Sequence, residues 1–255
     1  MYALIGDIHS NIDALKAVYA DIKKNHRDAR IICLGDLVGY NASPNEVIDF
    51  IRKKQIESIM GNHDAAVLDF VDYDNYFNYQ GISGVEWAKK QIEPENIAFL
   101  KSLNTLKEIN KPTFNLILAH GSPRPGLSPN DIKHTSDYIF YKRDVKKAIN
   151  TVQTSEKYNG NKPTFICVGH THVPRIGYTK KLNYDIWFPL ENSNSLINPG
   201  SVGQPRDHLR TARYALLNEE TQAVKFRSIK YNRKKARKRI IKAHYPYAYD
   251  IAARL

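Results

Sequence analysis

The chain has 255 residues, 42% of them hydrophobic and 25% charged, which suits one large domain with a substantial core and argues against a disordered chain. Its formal net charge of +12 favours acidic partners such as nucleotides, nucleic acid or phosphorylated protein, or else a lysine-rich solvated surface. No apolar stretch approaches the ~20 residues of a membrane span, and the first residues enter a strand without the segments of a signal peptide, so a cytoplasmic protein with no membrane partner is expected.

Tyr2–Ile5 reads as a strand, followed by a helix with Ser10 at its N-cap and Ile12, Leu15, Tyr19 and Ile22 on one face. Residues 31–34 form the next strand. Ser43, Pro44 and Glu46 form a capping box ahead of a helix whose stripe is Val47, Ile48 and Ile51. Residues 56–60 give a third strand, with a helix expected from Ala65. This β-α-β-α-β order predicts an α/β fold with neighbouring parallel strands. Helices are expected over 82–90 and 94–103, and apolar strands over 114–119 and 165–168. The proline-bearing connection 121–161 reads as a binding loop with a helix near 143–149.

After His172 the pattern changes. Residues 175–179, 184–188 and 196–197 read as strands, and 213–217 with 223–231 as a hairpin, an antiparallel block that suggests a second sheet. Cys33 and Cys167 sit in apolar runs and read as buried small hydrophobes, as Trp87 and Trp187 read as core. The basic run 232–242 places Ala236, Ile240 and Ala243 on one helical face. It is expected to be a helical segment (232–255) packed on the domain 1–231, or a contact for nucleic acid or polyphosphate.

Unusual residues gather at the predicted strand ends: Gly6-Asp7-Ile8-His9, Gly35-Asp36, Gly61-Asn62-His63-Asp64, His120-Gly121 and Gly169-His170-Thr171-His172. Taken singly, Asp7 could cap a helix, Asp36 or Asn62 could hold a turn, and His120 could be a core histidine. Together, five of the nine histidines stand at such ends, where open α/β sheets bind ligands. Asp-x-His and His-x-His on extended backbone would point both side chains to one side. Imidazole, carboxylate and amide oxygen suit Mn²⁺, Fe²⁺, Zn²⁺ or Ni²⁺, and the lack of thiolate argues against a structural zinc site.

These motifs, in this order from Asp7 to His172, resemble the signature of the calcineurin-like metallophosphoesterase superfamily. Residues 198–207 (Asn-Pro-Gly-Ser-Val-Gly-Gln-Pro-Arg-Asp) resemble a segment common in its small bacterial members. The resemblance implies a sandwich of two sheets flanked by helices. It also implies a phosphoesterase that uses a water activated between two divalent cations, with manganese the leading choice. By that likeness Asp7, His9 and His172 would hold one metal, and Asn62, His120 and His170 the other. Asp36 would bridge both, His63 would contact the phosphate and assist the leaving group, and Asp64 would orient His63 by a hydrogen bond.

Arg206 and Arg124 are weaker candidates for contacts to substrate phosphate, each weighed against a plain surface role; Tyr40 either lines the site or packs. The expected substrate is a phosphorylated small molecule or nucleotide, including dinucleoside polyphosphates. A nuclease, a protein phosphatase and a non-catalytic scaffold are the other readings. The scaffold is disfavoured because no ligand position is lost.

Overall fold

A computed structural model describes residues 1–72, 77–121, 162–177, 182–190 and 193–255, together with 146, 149–150, 154 and 179. Arg124 and most of the predicted helix near 143–149 lie outside the described residues; residues 146 and 149, which are described, are helical.

Short apolar runs make two facing sheets. The first contains β1 (Tyr2–Ile5), β2 (Arg30–Cys33), β3 (Glu57–Ser58), β8 (Trp187–Pro189), β10 (Ala212–Asn218) and β11 (Ala223–Ile229) in the order β3-β2-β1-β10-β11-β8. Its first three strands are parallel, and β10 runs antiparallel to β1 with Tyr2 opposite Leu217. The second sheet has the order β4-β5-β6-β9-β7, from Leu106–Asn110, Asn115–Ala119, Thr164–Cys167, Ser195–Asn198 and Arg175–Ile176 respectively. Here β5, β6 and β9 are parallel.

The period-2 geometry of a strand divides each run between two cores. Tyr2, Leu4, Ile32 and Leu34 face Phe114, Leu116, Leu118, Phe165 and Cys167 between the sheets. Ala3, Ile5, Ile31 and Cys33 face the helices α1 (Ile12–Asn25), α2 (Pro44–Lys53), α3 (Asn62–Val67) and α4 (Tyr79–Gln91). Strands covered on both faces read as unbroken apolar runs. Both cysteines are buried and free, and burial pushes their thiols up.

The structure corrects several expectations. The block after His172 is not one sheet: β7 and β9 join the second, whereas β8 and the β10–β11 hairpin extend the first. Ser10 does not cap α1. Asn11 does, its side chain accepting from the Ala14 N–H at 3.1 Å, while Ser10 takes a left-handed φ of 55°. Ser43 stands at the N-cap of α2 but makes no capping hydrogen bond, so the box with Glu46 is not formed. The helix expected from Ala65 begins at Asn62. Trp187 lies on an edge strand, 37% exposed, with the Lys225 ammonium 4.7 Å over its ring, so it is not core.

The basic segment forms the helix Arg233–Lys242, followed by a last helix, Ala248–Arg254. Ala236, Ile240, Tyr245, Ile251, Ala252 and Leu255 pack as a cluster around Tyr40. Four of the helix's basic side chains have partners within the protein. Lys235 and Arg239 pair with Asp13 at 3.2 and 2.9 Å, and Arg233 and Arg237 donate to the carbonyls of Leu255 and Ala252. Among the described residues no helix is long and apolar enough to cross a membrane.

Candidate metal centre

The carboxyl ends of β1, β2, β5, β6 and β9 deliver Asp7, Asp36, His120, His170 and residues 201–206 to one place, with α3 adding Asn62 and His63. The backbone there is not extended. Asp7, His9, Asp36, His170 and His172 have φ of 49°, 46°, 55°, 65° and 60°. Successive left-handed turns, not strand alternation, aim these side chains inward. Each costs of order 1 kcal/mol for a residue other than glycine, a strain typical of functional sites. Two glycines allow the close approach of loops: a Cβ on Gly35 (φ 89°) would lie 2.6 Å from the Gly61 nitrogen.

All seven expected ligands come together. One ligand atom each from Asp7, His9, Asp36 and His172 lie within 4.8 Å of one another, all four residues buried. Asn62 Oδ1 lies 3.0 Å from both His120 Nε2 and His170 Nδ1. Asp36 reaches both groups, its Oδ2 lying 3.5 Å from His9 Nε2 and 3.2 Å from His120 Nε2.

The hydrogen bonds around the imidazoles set their tautomers. A carbonyl can only accept, so Nδ1 of His9 donates to Val38 O (3.0 Å) and Nδ1 of His172 to Gln204 O (2.6 Å). Burial holds both rings well below the ordinary histidine range, so they are neutral. Their Nε2 lone pairs then face each other at 3.0 Å, beside two carboxylates. Two facing lone pairs repel unless a positive charge lies with them, and the buried Asp7 Oδ2 has no hydrogen-bond partner. Burial, opposed in part by His120, lifts Asp7 to about 7. Burial works against His120 too, but Asp36 and Asp7 outweigh it and raise His120 to about 9. His120 donates Nδ1–H to Leu34 O at 2.7 Å, so a cation at its Nε2 would replace the proton shared with Asp36. The donor set therefore fits a pair of divalent cations.

His63 and Asp64 do not form the expected pair. Asp64 is wholly buried; its Oδ1 accepts from the N–H groups of Leu37 (2.9 Å) and Val38 (3.2 Å), and its Oδ2 from Gly61 (2.9 Å). These backbone donors occupy its acceptor sites, and His63 Nδ1 has no hydrogen-bond partner. Asp64 instead ties the loop after β2 to the start of α3. His63 is held by ring contacts to His9, Tyr40 and Phe77, with centroids 4.8, 4.8 and 4.5 Å away, and by its own N–H, which donates to Asp36 Oδ1 at 2.8 Å.

A model of the calcineurin-like phosphoesterase superfamily domain matches residues 1–222. The chain belongs to this superfamily. An uncharacterized protein of Methanocaldococcus jannaschii is 38% identical over 253 residues, covering 96% of this chain and 94% of its own. The crystal structure of a metallophosphoesterase from Sphaerobacter thermophilus superposes with a TM-score of 0.75 at 27% identity, covering 99% of this chain and 96% of that one. A hypothetical protein from Pyrococcus horikoshii gives the same TM-score and coverage at 18% identity, a likeness of fold. The calcineurin-like phosphoesterases use a dinuclear metal site, and the cluster Asp7, His9, Asp36 and His172 is a candidate half of one in this member.

In this calcineurin-like phosphoesterase, residues 198–207 do work that the motif spacing did not reveal. Asn198 Nδ2 donates to Gly169 O (2.6 Å), Ser201 Oγ to Asp7 O (2.8 Å), and the Gln204 carbonyl takes His172. Asn41 supports the opposite side, donating to His9 O at 2.7 Å. Arg206 follows on this segment, exposed, its N–H directed at His172 O at 3.4 Å. Its neighbour Asp207 is clamped by the fully buried Arg213, with Nε at 2.7 Å and Nη2 at 3.0 Å, and accepts from the Tyr184 hydroxyl at 3.0 Å. Asp207→Ala would strand the buried guanidinium. It is expected to cost ~3–5 kcal/mol of stability in denaturant unfolding, and the lost anchor should also loosen Arg206. A loss below ~1 kcal/mol would show that Arg213 finds water instead.

Proposed function

We propose that the protein is a metal-dependent phosphoesterase acting on phosphate mono- or diesters, with phosphorylated small molecules and nucleotides, dinucleoside polyphosphates among them, as the substrate class. The observation that carries this reading is the convergence of seven oxygen and nitrogen donors from both sheets, with His63 and Arg206 beside them. Asp7, His9 and His172 would hold one cation, Asn62, His120 and His170 the other, with Asp36 shared; manganese is the favoured ion. Two bound cations would supply the positive charge that activates water and neutralises phosphoryl oxygens.

The chain's own residues would do the rest. Burial lowers His63 to about 4 despite the nearby Asp36, so at neutral pH it is uncharged and offers a single ring N–H. A bound phosphate dianion would raise its proton affinity so that it takes up a second proton from solvent; the imidazolium could then donate to a phosphoryl oxygen and pass one proton to the leaving oxygen, returning to the neutral ring. Arg206, whose charge acts on His9, His63, His170 and His172, would bind a non-bridging oxygen. The rings of Tyr40 and Phe77 fix His63 and exclude water from one side.

The nuclease alternative drew on the basic segment. Because Arg233, Lys235, Arg237 and Arg239 bind the protein itself, that support is weaker, and the small-substrate reading is preferred. The test is a substrate panel on metal-stripped protein reloaded with Mn²⁺: p-nitrophenyl phosphate, bis(p-nitrophenyl) phosphate, dinucleoside polyphosphates, phosphopeptides and DNA. Turnover of none of these with any of Mn²⁺, Fe²⁺, Zn²⁺ or Ni²⁺ would overturn the proposal. His63→Gln is expected to keep its metal content and lose ~10²-fold or more in kcat, as for a positioned acid. Unchanged turnover in that variant would remove His63 from the chemistry.

A further inference from the structure

Seven of the ten residues of the helix Arg233–Lys242 are lysine or arginine. Arg233, Lys235, Arg237 and Arg239 are held by the protein itself. The other three, Lys234, Lys238 and Lys242, are exposed, and among the described residues none of their ammonium groups has an ion-pair partner. A spacing of four residues puts them in one row, about 6 Å apart along the helix axis. The row lies on the side away from the buried Ala236 and Ile240, and the exposed Ile241 stands beside it.

The row ends at a groove of about 600 Å³ between this helix and the last one, lined by Ile241, His244, Tyr245, Tyr247, Tyr249 and Asp250. Both helices lie beyond the residues matched by the superfamily domain. Tyr245 is buried and anchored, its ring centroid 4.9 Å from that of Trp87. Tyr247 and Tyr249 are 50% and 76% exposed. Tyr247, at a left-handed φ of 55°, meets the ring of Tyr79 edge to face at 5.0 Å, and Tyr79, the first residue of α4, is itself 58% exposed. Single exposed rings are ordinary, but three rings and an isoleucine gathered at one opening mark an interaction surface.

We propose that this surface binds single-stranded nucleic acid, with the backbone phosphates along Lys234, Lys238 and Lys242 and unpaired bases stacked on Tyr79, Tyr247 and Tyr249. Lysines in a row supply a sequence-independent hold on phosphates, and an aromatic ring offers every base a face. Asp250, the one acid lining the groove, suits this occupant, because a carboxylate can accept from an exocyclic amino group on a base edge. It would be repelled by an acidic peptide. A lipid surface would bury it at a cost, and would favour tryptophan, phenylalanine or leucine over tyrosines that carry hydroxyls. The surface goes beyond the hydrolytic reading and does not depend on it, since it holds a strand without any step at the metal centre.

The test is fluorescence anisotropy of a labelled oligothymidylate of about twelve nucleotides, titrated with the full chain in EDTA so that no cation at the metal centre can bind or cut it. The wild type is expected to bind with a log–log salt slope of about −2, from three lysines at ~0.7 each on a single strand. Lys234→Ala, Lys238→Ala and Lys242→Ala together should bring the slope near zero and weaken binding at least ~10-fold at low salt. Tyr247→Ala and Tyr249→Ala should each weaken it about 5-fold or more and leave the slope unchanged, because stacking releases no counterions. Lys24→Ala, Lys53→Ala and Lys101→Ala together remove the same charge from exposed positions at the ends of other helices and should change affinity little. An equal loss in that control would reduce the effect to net charge and overturn the proposal. So would wild-type affinity in the tyrosine variants, or a wild type that binds phosphatidylserine vesicles or an acidic peptide but not the oligonucleotide.

Discussion

Asp36→Asn is expected to remove the bound cations and to lower turnover by at least ~10³-fold, beyond the effect usually seen for a single oxyanion donor. Asp36 is 1% exposed and touches both halves of the cluster. Its Oδ1 accepts the His63 N–H, and its Oδ2 lies between His9 and His120. Asparagine keeps the shape, and its carbonyl oxygen can still serve His63. The amide NH₂ would then face the nitrogens of His9 and His120, and the charge would be gone. His120 would lose the partner that raises it, and a cation held by His9 and His172 would have Asp7 as its one carboxylate in place of two. The fold itself should survive, because asparagine keeps the shape and the acceptor for the His63 N–H, and His120 can release its proton when the carboxylate beside it is gone. Thermal melts separate the two effects. Wild-type protein should gain stability with Mn²⁺, about 2.7 kcal/mol at a hundredfold excess over Kd, whereas the variant should melt at the same temperature with and without the ion. Full metal content with wild-type turnover would remove Asp36 from its assigned place.

The convergence of these side chains was legible from the chain because metal chemistry admits few residue types, and those types recur after apolar runs that end in glycine. Gly35-Asp36, Gly61-Asn62 and Gly169-His170 each announce a backbone that must turn sharply beside something polar. The geometry was not legible. Asp-x-His suggested an extended segment, yet the turns are left-handed, a choice dictated by hydrogen bonds such as Ile8 N–H and His9 N–H to Asp36 O, across 28 and 27 residues. Nor could periodicity assign strands to sheets. Leu216 and Leu217 of β10 are both fully buried on opposite faces, so the same alternation would satisfy either sheet, and pairing with β1 is settled by tertiary fit. Strand β4 escaped notice because Lys107, Glu108 and Asn110 sit on a half-exposed edge, where polar residues are tolerated.

Asp64→Ala is expected to produce the largest loss of stability in the site, ~3–9 kcal/mol, by leaving three buried N–H groups without acceptors at ~1–3 kcal/mol each. The donors belong to Leu37, Val38 and Gly61, so the loss falls on the seam between the loop after β2 and the start of α3. The Val38 carbonyl holds the His9 ring, and Asp36 and Gly39 stand on the same loop. Loosening the seam should therefore weaken metal binding as well. This distinguishes two roles for Asp64. If it merely oriented His63, its removal would mimic His63→Gln: a stable, metal-replete protein with reduced kcat. As a buckle for the loop, its removal should lower the unfolding midpoint and the affinity for Mn²⁺ together. Asp64→Asn retains one oxygen acceptor but turns an amide against the donors on its other side, so an intermediate cost is expected. Denaturant unfolding and metal titration on both variants decide the matter, and a stable, fully metallated Asp64→Ala would show that these backbone groups find other acceptors.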